Sequence, residues 1–180
     1  RGVEYDAHLF KKALIDIRKL TNESPDVFIP EMTALCNASG VAYVLCPGFP
    51  KAPISGAASW INPQKAMIMQ SVRHKSNDHF WFTFFHEAAH LLLHSKRDTF
   101  VDENGKKGNE LEDQADAWAI NFLIPREEFE EFIEKGHFSR VAILAFSRMW
   151  EIAPGTVVGA LQHRGCIGWH QLNKLKIKYE

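Results

Sequence analysis

The chain has 180 residues, 46% of them apolar and 12% aromatic, which is enough to bury one sizeable core and is about the usual size of one domain. Its 21 Lys and Arg against 22 Asp and Glu leave a net charge of -1. That balance excludes a broad electrostatic footprint for nucleic acid or an anionic membrane and leaves room only for a local basic patch. Cys36, Cys46 and Cys166 are odd in number and far apart, which matches neither a disulfide framework nor a paired-cysteine zinc spacing, so reduced, buried thiols are expected.

No apolar run reaches the roughly 18 residues needed to cross a bilayer, and no secretory segment opens the chain. The expectation is a cytoplasmic protein with no membrane partner. The chain starts at Arg1 rather than Met. Residues 1–180 are therefore expected to be a single domain cut from a longer polypeptide, with a further domain upstream.

Between Glu4 and Leu20 the apolar positions Leu9, Phe10, Ala13, Leu14, Ile17 and Leu20 recur at helical spacing, which predicts a surface helix with one buried stripe. Ser24-Pro25 supplies a capping residue followed by proline at the first helical position, and Gly40 ends this second helix after Cys36 and Asn37. Three short β-rich runs follow: Val41 to Cys46, Ser55 to Ile61 and Ala66 to Ser71. Pro47-Gly48, Pro50, Pro53 and Asn62-Pro63 separate them. This punctuation predicts a small three-stranded antiparallel sheet.

Asp78 is expected to cap a helix from His79 to about His94 whose residues are apolar nearly all round, the pattern of a buried helix. The charged stretch Lys96 to Asn109, with Gly105 and Gly108, reads as a loop. Further helices are predicted at Glu110 to Ile124, ended by Pro125, then at about Glu127 to Lys135 and Ser139 to Trp150. A last one, after Pro154-Gly155, runs from about Thr156 to His163.

The chemistry concentrates in the most hydrophobic of these helices, where His86, Glu87 and His90 are ionisable groups that cost several kcal/mol to bury unless paired or bound to a metal. Four residues on a helix is about 400° of rotation, so His86 and His90 differ by roughly 40° in direction and one turn in height. Both imidazoles can reach one ion. Glu87 lies about 100° from His86 and 60° from His90 by the same arithmetic, close enough to contact a water on that ion without itself ligating, as a general base would.

Glu112 is the expected third ligand, since it shares a helix face with Ala115, Asp116 and Ala119, whose small side chains allow close helix approach. Two histidines and a glutamate suit zinc, with one position left open for water. Asp116 is placed to accept a hydrogen bond from the free ring nitrogen of His86 or His90, fixing its tautomer. His94 is one turn beyond His90 but about 80° around from His86, so capping or support of a ligand is expected rather than ligation. Glu110 and Asp113 read as solvated. Arg73, His74 and His163 are the candidates for steadying an oxyanion, with ordinary surface roles expected for each.

At His86-Glu87-Ala88-Ala89-His90 and Glu112-Asp113-Gln114-Ala115-Asp116-Ala117-Trp118-Ala119 the sequence resembles the ImmA/IrrE family of zincin-like metallopeptidases. Phe80 to Phe85 before the histidines, Leu91-Leu92-Leu93-His94 after them, and Leu123-Ile124-Pro125 extend the likeness. Ala89 departs from it, standing where the family usually has glycine. Ser55-Gly56-Ala57, Trp60-Ile61-Asn62-Pro63 and Ile152 to Gly159 look like the carboxy-terminal halves of long HigA-type antitoxins, which join a helix-turn-helix to this domain.

The resemblance implies an α+β, zincin-like fold, a zinc cofactor, and hydrolysis of peptide bonds in a DNA-binding repressor or a toxin-antitoxin component. DNA would be contacted only through the upstream domain, and a homodimer is a further possibility. The alternative it leaves open is a non-catalytic regulatory or dimerisation module of an antitoxin transcriptional regulator.

Overall fold

A computed structural model of the chain describes residues 2–47, 55–71, 75–94 and 105–179. The first helix, α1 (Ala7–Lys19), starts where the Asp6 carboxylate accepts from the Leu9 N–H, and it buries Phe10, Ala13, Leu14 and Ile17. This is the predicted stripe. Next, α2 (Pro25–Ala38) follows Ser24, which is extended as a capping residue should be but makes no side-chain cap bond. Gly40 then turns the chain at φ +79°, and a Cβ there would fall 2.3 Å from the Glu4 backbone, so both conformation and space call for glycine.

The strands are β1 (Val41–Cys46), β2 (Gly56–Asn62) and β3 (Lys65–Ser71), in the order β1-β3-β2. β2 and β3 form the antiparallel hairpin expected around Asn62-Pro63. β1, however, pairs with β3 in parallel, from Val41 with Ala66 to Cys46 with Ser71. The sheet is therefore mixed, not antiparallel. A two-residue turn can only return a strand beside its predecessor, whereas the longer segment after Cys46 allows β2 to enter two strand spacings away and leaves the middle place for β3. Proline punctuation marks both connections alike and does not tell them apart.

Over this sheet lies α3 (Asn77–Leu93), with Phe80, Trp81, Phe84, Phe85, Ala88 and Ala89 fully buried. Its neighbours are β2, β3, α4 (Gly105–Leu123) and α7 (Pro154–His163). Ser76, not Asp78, occupies the N-cap position of α3. Asp78 instead points its carboxylate at Lys176, 2.8 Å away. The following helix begins at Gly105 rather than Glu110, because extending a formed helix adds a hydrogen bond per residue and overrides weak local propensity. Ala115, Ala119 and Leu123 on α4 are fully buried.

Two short helices, α5 (Arg126–Lys135) and α6 (Arg140–Met149), close the far side. The tail returns to the start of α3: Asn77 N–H donates to Ile177 O, Tyr179 N–H to Lys75 O, and Trp81 Nε1 to the Tyr179 hydroxyl at 3.0 Å. Among the described residues there are seven α-helices and one three-stranded sheet, an α+β architecture, and no single helix is long and apolar enough to cross a membrane. The cysteines are free, Cys36 buried and the other two half-buried.

Candidate metal centre

α3 and α4 bring three donors to one point. His86 Nε2 lies 3.0 Å from Glu112 Oε2, and His90 Nε2 lies 3.1 Å from Glu112 Oε1. The two Nε2 atoms are 3.0 Å from each other. These three side chains form a group whose donor atoms all fall within 4.8 Å, the kind of cluster that can hold a metal ion. Both histidines are mostly buried, while Glu112 is exposed.

The protons in this cluster can be followed. Asp116 Oδ1 sits 2.7 Å from His86 Nδ1, and a carboxylate can only accept, so that nitrogen carries the hydrogen and donates. In a neutral ring His86 Nε2 is then left with a lone pair. It faces the Glu112 carboxylate and the second imidazole, and with His90 also presenting its Nε2 lone pair three acceptors converge, an arrangement that a cation satisfies. His90 Nδ1 lies 2.9 Å from His94 Nδ1. When His90 Nε2 takes part in the cluster as an acceptor, His90 Nδ1 donates to His94, which must then carry its own hydrogen on Nε2. That atom is buried and has no partner.

Glu87 is 9% exposed and lies on the side of α3 that meets the start of β2. Burial pushes its carboxyl up to about 7; the nearby His86 and a backbone hydrogen bond from Ala58 oppose the shift, and Glu112 adds to it. Burial likewise lowers His90, with Glu112 opposing. Gly56 makes room for this carboxyl, since a Cβ there would lie 3.0 Å from Glu87 Cγ and 2.7 Å from Thr83 Cγ2. Gly56→Ala is therefore expected to push Glu87 or Thr83 aside and cost about 1–3 kcal/mol of stability, as overpacking does. A urea midpoint equal to that of the parent would contradict this.

The cluster opens into a cavity of about 1030 Å³. One wall is the beginning of β2, from Ser55 to Ala58, another is α4 from Leu111 to Leu123, and a third is α7 with the tail. His163 borders it, packed between Phe82 and Trp169, whereas Arg73 and His74 lie outside the described residues. Sequence reasoning missed Asp78, Phe82, Trp169 and Lys176 as parts of this wall. Asp78 and Phe82 could have been found, since they precede His86 at four-residue steps along one face of α3. Trp169 and Lys176 carry no comparable signal.

Two imidazoles and a carboxylate converge beside a buried glutamate on the wall of an open cavity, a candidate metal centre. Residues 49–148, more than half of the chain, match the peptidase M78 family, described as the IrrE N-terminal-like domain, and the chain belongs to that family. The match takes in β2 to α6 and so covers the whole metal cluster, while α7 and the tail, which wall the cavity, lie beyond it. No curated protein matches the chain in sequence.

Proposed function

We propose that this zincin-like domain is a zinc-dependent endopeptidase that hydrolyses peptide bonds in a DNA-binding repressor or a related regulatory protein. In this reading His86, His90 and Glu112 hold the metal and Glu87 is the general base. The observation that carries it is the meeting of both Nε2 atoms with the Glu112 carboxylate at 3.0–3.1 Å, on the same turn of helix as the buried Glu87 carboxyl. Zinc–nitrogen and zinc–oxygen bonds of roughly 2.0–2.2 Å imply tetrahedral ligand spacings of about 3.3–3.5 Å, within a few tenths of an ångström of those observed. The repressor as substrate rests on the resemblance to the ImmA/IrrE family.

Zinc held by His86, His90 and Glu112 would supply Lewis acidity, polarising the substrate carbonyl and making the attacking water more acidic. The chain's own groups do the rest. Glu87 accepts the proton of the water as its oxygen bonds to the carbonyl carbon, then delivers that proton to the amine nitrogen as the carbon–nitrogen bond breaks. Asp116 holds His86 in the tautomer that presents Nε2, and His94 does the same for His90. Among the described residues β2 is an edge strand whose first residues border the cavity, so an extended substrate would lie along it. β1, the other edge, lies against α2.

The test is to incubate the protein with purified repressors encoded beside its gene, with and without a chelator. Fragments that vanish on chelation and return with added zinc are expected. No fragments at any zinc level, or fragments indifferent to chelator, would sink the reading.

A further inference from the structure

One turn before His86 on α3, the Phe82 ring lies 6.0 Å from the His86 ring. His163, at the end of α7, stacks on Phe82 with centroids 6.3 Å apart and planes 21° from parallel. Trp169 meets His163 edge-on at 4.9 Å. All four rings border the cavity. They make a continuous row leading outward from the candidate metal centre.

Trp169 is 63% exposed, yet it is held firmly. Its carbonyl accepts from Gln162 Nε2 at 3.2 Å and from Asn173 Nδ2 at 2.8 Å. Gln162 is itself buried, donates also to Gln171 O, and accepts from Lys176 Nζ at 2.7 Å. The fold thus fixes the backbone beneath a large ring and leaves the ring in water, where it packs no core. The backbone that carries the ring is thus already ordered and need not be ordered on binding, which is how preorganisation raises affinity.

Resting on the peptidase reading above, we infer that Phe82, His163 and Trp169 form the subsite that receives an aromatic side chain of the substrate beside the bond to be cut. The occupant follows from the walls. Ring faces and edges at this spacing reward another ring by roughly two- to tenfold in affinity beyond what its apolar area gives, so Phe and Tyr outrank Leu. The place follows from continuity, since the row begins in contact with His86. Trp169 here is a specificity residue that touches substrate and takes no part in proton transfer.

The test uses the zinc-loaded Glu87→Gln protein, which holds peptides without cutting them, and fluorescently labelled alanine-rich peptides that differ at one position. Anisotropy is expected to show Phe and Tyr peptides binding about tenfold or more tighter than the Ala peptide. Trp169→Ala should remove most of that difference, and Trp169→Phe should restore part of it. Equal binding of Phe, Leu and Ala peptides, absence of binding by any of them, or a ring preference that Trp169→Ala leaves unchanged would each overturn the assignment. The two proposals can fail separately. A ring preference in a protein that never cleaves keeps the subsite and loses the peptidase, and zinc-dependent cleavage with no ring preference does the reverse.

Discussion

Replacing Glu87 with glutamine is expected to leave the metal and the fold in place while lowering peptide hydrolysis by about 10²–10⁴-fold, the usual contribution of a general base. The substitution keeps the shape of a side chain that is only 9% exposed and fits against Gly56, so packing changes little. It touches none of the three clustered donors. What it removes is the ability to take a proton from water and return it to the leaving amine. Metal content, circular dichroism and fragment yield from the repressor substrate, measured on the same preparation, separate these effects. A glutamine variant that cuts at the parental rate would show that Glu87 is not the base, and one that loses its metal would place Glu87 among the ligands. If neither form cuts and both support the same gene regulation in cells, the domain is a regulatory module.

How much of this was legible in the sequence varied with the physics behind each feature. The helix carrying His86 and His90 was legible because its apolar residues surround it and its polar exceptions fall at helical spacing, and its expected span of His79 to about His94 lies within two residues of Asn77–Leu93. The boundaries of α2 followed from Ser24-Pro25 and Gly40, whereas α1 starts at Ala7 rather than Glu4 and α7 at Pro154 rather than Thr156. Strand sense was not legible, since parallel and antiparallel partners of β3 carry the same alternation and only tertiary placement decides between them. Nor was the role of Asp78, which looks like a cap in sequence but pairs with Lys176, nearly a hundred residues away. The aromatic wall was invisible for the same reason. His163 and Trp169 reach the cavity through α7 and the tail, whose docking on α3 depends on Gly155 and Gly159 leaving room for Asn77 and Asp78, and no local pattern announces which helix an incoming glycine will meet.

The metal itself gives the second large effect, and the order of losses along the cluster tests the geometry. The parent is expected to carry about one zinc per chain, because the described residues offer one group of converging donors. His86→Ala, His90→Ala and Glu112→Ala each remove a direct donor and should strip most of it. Asp116→Asn keeps the shape of the partner of His86 but removes its charge, and it can also turn an N–H toward His86 Nδ1, favouring the wrong tautomer. It should weaken zinc by about 10- to 100-fold, the usual cost of losing such a supporting group. His94→Ala should cost less than any of these. A neutral imidazole accepting from His90 is a weaker orienting partner than a carboxylate, and its removal also relieves a buried Nε2 that has no partner. Competition with a zinc-binding dye, on variants shown by circular dichroism to be folded, ranks the five. A His94→Ala protein as metal-poor as His86→Ala would make His94 a direct ligand, and an Asp116→Asn protein with parental affinity would show that His86 needs no partner to hold its tautomer.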